Sequence, residues 1–260
     1  MSIYVNSTKK DGDWQKQDFE GLVFDSENKQ IRKHKFSFDS TGFYRIQWRM
    51  IEDGFYFPSH QTPKPEETLP SGRIVKPGKY KLVIQQKLQR FDSAWVEVKY
   101  PMNDFSQRDY ENQSLAIQKF KPLVEKGYQI FEGLKSMDKN LVSLSELSWE
   151  SDSIKTYIQK NKSRFQDSLK TLKSLFLLSE EITYYEESTI RLNTLLEQAN
   201  GYIFQRSELG ENMESSLALI EKELNTITNR VNLFIEKEWQ PFENKVKSQK
   251  FKVITEIKKY

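Results

Sequence analysis

The period at which apolar residues recur changes once along this chain, near residue 101. Before that point apolar and polar residues alternate, for example through Tyr44, Ile46 and Trp48. Alternation puts every second side chain on the same face of a β-strand, whereas spacings of three and four residues align side chains along an α-helix. The spacing after residue 101 is of the second kind. The sequence therefore predicts an all-β domain followed by an all-α domain.

Short alternating runs fill the first part of the chain, and turn residues separate them, such as Asp11-Gly12, residues 25–28 and Pro77-Gly78. Roughly six or seven strands of this kind predict an immunoglobulin-like antiparallel β-sandwich over residues 1–102. Residues 57–75 contain Pro58, Pro63, Pro65 and Pro70. Because proline lacks the backbone donor that a central strand needs, we expect a long loop there.

The second domain, residues 103–260, is predicted to be an antiparallel bundle of about four helices. Asn103 or Asp104 could cap the first helix, and Pro122 is expected to kink it. The second and third helices are expected at about 151–178 and 186–204.

The fourth helix has the clearest pattern, because its apolar residues are four and three residues apart in turn: Met213, Leu217, Ile220, Leu224, Ile227, Val231 and Phe234. Such a seam is typical of helices that pack on partner helices. It could also form a dimer. Since sister helices are present in the same chain, we expect intramolecular packing and a monomer of 30.9 kDa.

Composition excludes several classes of protein. Lysine and arginine total 40 and the acidic residues 37, so a net charge of +3 is too small and too dispersed to indicate nucleic-acid binding. The absence of cysteine excludes disulfides and zinc–thiolate sites. No apolar run approaches the ~18 residues that a membrane span needs. The first residues lack a signal-peptide core and read like a strand, so we expect a piece of a longer protein.

No catalytic, cofactor or metal site is predicted. The two histidines, His34 and His60, lie in no catalytic or metal-binding motif, and no glycine-rich phosphate loop is present. Asp11, Asp13 and Asp18 surround a glycine, but the closing glutamate of a calcium loop is missing. Because nothing brings acid, base and nucleophile together, we expect a protein that is not an enzyme.

The aromatic residues supply the candidate interaction site. Phe55, Tyr56 and Phe57 are consecutive at the start of the proline-rich loop. Since one sheet cannot bury both faces of such a run, at least one ring is expected to meet another domain or a partner. One of Trp48 and Trp95 is expected in the sandwich core. Tyr56 and Trp14 could instead stack on sugars.

The order of motifs resembles the C-terminal part of bacterial sortilin-like β-propeller proteins, which are common in Bacteroidota and often labelled glycosyl hydrolase or WD40/YVTN/BNR-like. The motifs are GFYRIQW at 42–48, VKPGKYKLVIQQ at 75–86 and WVEVKYPMNDF at 95–105, then VNLFIEKEWQPFENKV at 231–246. The positions that match the family pattern are Gly42, Arg45, Trp48, Pro77, Gly78, Tyr80 and Leu82. Tyr100-Pro101-Met102 departs from the D-P-R-like turn of that family. The resemblance covers roughly residues 35 to 250.

The resemblance implies an exported, periplasmic or cell-surface setting and an accessory role beside an N-terminal propeller, whose repeats are not in this sequence. It carries no catalytic residue to any position here. The expected function is structural support or docking of a protein partner, either the propeller of the same polypeptide or another envelope protein. The alternative is a carbohydrate-binding module that serves a glycoside hydrolase.

Overall fold

A computed structural model describes residues 2–5, 17–38, 40–64, 67–99, 106–178, 190–204 and 212–249. The chain divides into two compact units. The β unit comprises residues 1–56, 62–114 and 204–208. The helical unit comprises residues 57–61, 115–203 and 209–260. Residues 57–61, inside the proline-rich loop, thus belong to the helical unit.

The β unit is built from eight described strands, and all their pairings are antiparallel. They are β1 (Ser2–Val5), β2 (Gln17–Phe24), β3 (Gln30–Phe38), β4 (Gly42–Arg45), β5 (Ile51–Asp53), β6 (Ser71–Ile74), β7 (Gly78–Gln86) and β8 (Gln89–Val98). A four-stranded sheet has the order β3-β2-β7-β8, and β1-β4 and β5-β6 form two-stranded sheets. The predicted order, antiparallel β-structure followed by helices, is confirmed.

One face of the four-stranded sheet carries the core of the β unit. Val23 of β2 lies opposite Arg32 of β3 and Leu82 of β7, so these three side chains share a face. Val23 and Leu82 pack with Val75 and Tyr80 in one buried cluster. Trp48 packs against this cluster, with its ring centroid 5.3 Å from that of Tyr80. Of the two tryptophans that could lie in the core, Trp48 is therefore the one that packs against this cluster, and it is half-buried, whereas Trp95 is exposed.

Turn chemistry explains several strand ends. In the predicted 25–28 turn, Asp25 Oδ1 accepts hydrogen bonds from the backbone amides of Glu27 and Lys29, and Asn28 has a positive φ of 62°. The sequence patterns do not predict the β7–β8 turn, because its two central residues, Lys87 and Leu88, are not turn formers. Both have positive φ, 46° and 70°, as in a type I′ hairpin turn.

Two strands differ from the alternation pattern. β4 ends at Arg45, although the alternation continues to Trp48. β6 occupies Ser71–Ile74, inside the predicted 57–75 loop, where no proline interrupts the chain. Its partner β5 can approach because Gly54 and Gly72 face each other. A Cβ on Gly54 would lie 2.7 Å from the Ser71 carbonyl oxygen, a distance that real side chains do not show.

The helices among the described residues are α1 (Gln107–Glu146), α2 (Asp152–Ser174), α3 (Leu192–Ile203) and α4 (Asn212–Phe234). α4 continues through a π-helical turn into α5 (Gln240–Lys247). α1 runs through Pro122 as one helix. Its N-cap is Ser106 rather than Asn103 or Asp104, because Ser106 and Asp109 form a reciprocal capping box with Asp109 Oδ2 2.6 Å from the Ser106 amide. The third helix is described from Leu192. Its predicted start, near residue 186, lies outside the described residues.

The predicted seam of α4 is buried at all seven positions. After Phe234 the next buried residue is Trp239, five positions on, followed by Phe242 and Val246. A regular α-helix would turn a residue five positions along away from the seam. The π-helical turn Ile235–Trp239 absorbs the extra residue. It thereby keeps Trp239 on the buried side.

Candidate functional site

The place where Asp53 and Gly54 meet Leu69 and Pro70, which we call the neck of the proline-rich loop, is held by Arg32. Arg32 lies on the core side of β3 and is 8% exposed. Its Nη1 lies 2.7 Å from the Pro70 carbonyl oxygen, 3.1 Å from the Leu69 carbonyl oxygen and 3.0 Å from Asp53 Oδ1. The Gly54 amide donates to the Pro70 carbonyl oxygen at 2.7 Å. Burial raises the pKa of Asp53 and outweighs the opposing attraction of Arg32. One guanidinium thus joins β3, β5 and the end of the loop.

The three candidate aromatic residues have different surroundings. All three are half-buried. Tyr56, in the β unit, directs its hydroxyl to the Thr68 carbonyl oxygen at 3.4 Å, across the neck of the loop. Phe57, in the helical unit, lies with its ring centroid 6.4 Å from that of Phe120 on α1. Phe55 also makes a contact. The structure therefore places the side chains of Tyr56 and Phe57 in intramolecular contacts.

Residues 57–61, which we call the strap, pack on α1 and on the end of α2 within the helical unit. Lys135 of α1 donates from Nζ to the Ser59 carbonyl oxygen at 3.0 Å and to the Gln61 carbonyl oxygen at 3.2 Å. Glu132 Oε1 lies 2.8 Å from the same Nζ. His60 Nε2 lies 2.8 Å from the Leu178 carbonyl oxygen. The strap is therefore held through its backbone as well as its rings.

Strand β8 presents the largest exposed aromatic side chains of the four-stranded sheet. Trp95 is 64% exposed and Phe91 is 55% exposed. Lys81 on β7 lies opposite Trp95 and holds its Nζ 5.9 Å from the indole centroid. β8 is also the last strand in the order of this sheet. Within the described residues, its outer backbone edge faces no further strand.

The two histidines sit in different units. His34 Nε2 is buried and has no hydrogen-bond partner among the described residues. Burial, followed by the charge of Arg32, lowers the pKa of His34. His60 belongs to the strap. Each imidazole is therefore described within its own unit, His34 on the buried side of β3 and His60 against the end of α2.

A groove of about 250 Å³ lies in the helical unit between the C-terminal part of α1 and α5. Its apolar walls include Leu144, Leu147, Trp239 and Phe242. The carboxylate that lines it, Glu243, is paired with Lys247 at 2.8 Å. Hydrolysis of a glycosidic bond ordinarily uses two facing carboxyl groups. The described lining of this groove supplies one, already bound to a lysine.

The described ranges contain neither a cluster of metal ligands nor a membrane-spanning helix. No group of three or more His, Cys, Asp or Glu side chains comes together there as metal ligands would. No helix in those ranges has both the length and the apolarity that crossing a bilayer requires. Asp11, Asp13 and Trp14 lie outside the described residues, and Asp18 is an exposed residue of β2.

Sequence patterns do not predict two of the contacts that hold the loop and the strap, those of Arg32 and Lys135. A local signal exists for Arg32, because it occupies an inward position in the alternation of β3. A charged residue on a core face needs a buried partner. Lys135 gives no such signal, since its partners lie 74 and 76 residues away along the chain.

No protein-family model matches this chain, and neither does any curated protein or solved structure.

Proposed function

We propose that this chain is a non-catalytic accessory region of an exported or envelope-associated bacterial protein, and that it docks a protein partner beside a β-propeller. The fold that we propose for it is an immunoglobulin-like sandwich followed by an antiparallel helical bundle. The resemblance of the 42–48, 75–86 and 231–246 motifs to propeller proteins supports this setting.

The outer edge of β8 is the observation that carries the docking role. An end strand offers unpaired backbone donors and acceptors, which another chain can extend as an added strand. Beside that edge lie Trp95 and Phe91, both more than half exposed. Tryptophan is enriched among the residues that dominate binding energy in interfaces. We therefore assign the partner surface to β8, with Trp95 as its anchor.

Hydrogen exchange tests this assignment. The exchange rates of β8 amides should fall when this chain is measured inside the longer polypeptide that carries the propeller, compared with the isolated chain. The central strand β2, already paired on both sides, is the internal control and should not change. Equal exchange of β8 in the two samples would exclude docking through this edge.

Carbohydrate binding remains the second candidate, and the exposed ring of Trp95 favours it. An exposed indole on a sheet face can stack on an apolar face of a sugar. Its test is a titration with oligosaccharides, in which tryptophan fluorescence should shift and the shift should disappear in Trp95→Phe. A protein-docking edge predicts no shift with any sugar.

A further inference from the structure

We propose that the face of the helical unit formed by Phe120, Phe131 and Lys135 is a binding site for a short aromatic–proline peptide, which the chain's own strap, residues 57–61, fills. This inference is independent of the function proposed for β8, because it concerns other residues in the other unit.

The apolar part of the site is a row of rings on α1 and at the end of α2. Phe120, Phe131 and Phe176 are fully buried, and the ring centroids of Phe131 and Phe176 are 5.4 Å apart. The Phe57 ring lies 6.4 Å from Phe120, and the His60 ring lies 6.3 Å from Phe131. Two side chains of the strap thus meet this row, three residues apart in sequence.

The polar part of the site forms hydrogen bonds with the peptide backbone. Lys135 is 12% exposed, and its ammonium reaches two strap carbonyls that are two residues apart, those of Ser59 and Gln61. Hydrogen bonds from an ionised donor are about twice as strong as neutral ones. The Leu178 carbonyl oxygen accepts a hydrogen bond from His60 Nε2 at 2.8 Å. Any peptide with two carbonyl oxygens in the same positions could accept both hydrogen bonds from Lys135.

The peptide itself suits this kind of recognition. Pro58, between Phe57 and Ser59 in the sequence, is buried. Proline fixes φ near −65° and favours an extended residue before it, so less conformational entropy is lost on binding. A short aromatic–proline segment with accessible carbonyls is the class of ligand that these residues fit.

Peptide titration provides the first test. In the full chain, residues 57–61 are replaced by Gly-Ser-Gly-Ser-Gly, and a fluorescein-labelled peptide of residues 56–62 is titrated in anisotropy. The replaced chain should bind the peptide saturably. The unreplaced chain should bind it at least roughly tenfold more weakly, because its tethered strap competes at a high effective concentration. Equal binding by both chains, or no binding by a folded replaced chain, would overturn the proposal.

Lys135→Met in the replaced chain identifies the site. It should weaken peptide binding by about tenfold or more, as expected for the loss of hydrogen bonds to a charged donor. Lys119→Met on the same helix is the matched control, since Lys119 is 62% exposed and pairs only with an exposed glutamate in the described contacts. Equal effects of the two substitutions would contradict the assignment of Lys135.

A second measurement decides the matter if the replaced chain does not fold. The native chain has no cysteine, so Ser59→Cys introduces a single thiol within the strap. Its alkylation should be slow and should accelerate by about tenfold or more when Lys135→Met is added. Lys119→Met should leave the rate unchanged. An alkylation rate that does not respond to Lys135→Met would refute a strap held by this lysine.

Discussion

Removal of the Arg32 guanidinium is expected to lower the stability of the β unit substantially. Arg32→Met keeps an unbranched side chain of similar length but removes the donor that Asp53, Leu69 and Pro70 share. Asp53 would remain half-buried without its cation. Both the loop neck and the β3–β5 junction would therefore lose their common tie.

The expected loss is about 3–5 kcal/mol of unfolding free energy, the range measured when one partner of a buried ion pair is removed. The part of this loss that comes from the unpaired Asp53 carboxylate has an upper limit, because the carboxylate can become neutral by taking up a proton. At pH 7 that costs an aspartate of ordinary pKa about 4 kcal/mol, at 1.36 kcal/mol per pH unit. The lost hydrogen bonds to the loop carbonyls add to this share.

Burial raises the pKa of Asp53 despite the nearby Arg32, so the charged carboxylate is disfavoured in the folded protein and its ion pair adds little stability. Asp53→Asn alone should therefore cost about 1 kcal/mol or less, and in the double variant it should recover part of the Arg32→Met loss. Urea unfolding of the four proteins, followed by circular dichroism, measures these values. Arg90→Met, an exposed arginine of β8, is the control. An Arg32→Met loss within 1 kcal/mol of the control would refute the reasoning.

Three further predictions concern glycines, a turn and pH. Gly133→Ala should raise the unfolding free energy by about 0.5–1 kcal/mol, because Gly133 is inside α1 and an added Cβ would meet no described atom outside its own stretch of helix within 4 Å. Gly54→Ala should lower the unfolding free energy, because a Cβ there would lie 2.7 Å from a backbone atom; melting temperatures that move in the same direction for both variants would contradict this. Replacing Lys87 and Leu88 by Asn-Gly should raise the unfolding free energy by about 1 kcal/mol or more, since both residues have positive φ and Leu88 is 88% exposed. An unchanged urea midpoint would count against the turn assignment. The folded-state pKa of His34 is lowered below the ordinary 6.5, so the contribution of neutral His34 to stability is complete above that value and is lost as the pH falls through the folded-state pKa. His34→Gln should therefore flatten the dependence of the unfolding free energy on pH, measured in urea between about pH 7.5 and 5. An identical slope in the two proteins would exclude His34 as the origin of this dependence.

Local patterns in the sequence are sufficient for several elements. The four-three spacing from Met213 to Phe234 predicts α4, and the alternation around Leu22 and Leu82 predicts β2 and β7. These patterns arise from burial of one face, which is a property of neighbouring residues. They also predict that Trp48 or Trp95 is buried, although alternation alone does not say which.

The remaining features depend on contacts between distant residues. The strap is one example, because the residues that hold Ser59 and Gln61 lie on α1 and no local pattern links them. The β7–β8 turn is another, since Lys87 and Leu88 adopt positive φ under the constraint of the paired strands rather than by their own preference. The π-helical turn is visible in the spacing of five between Phe234 and Trp239, but its meaning requires knowledge of which side of α4 is buried.

The most direct test of the proposed accessory role is to sequence the genomic DNA upstream of the codon for Met1. The account predicts an open reading frame that continues upstream into propeller repeats and an export signal. A start codon at Met1 with its own ribosome-binding site and no propeller upstream would contradict it.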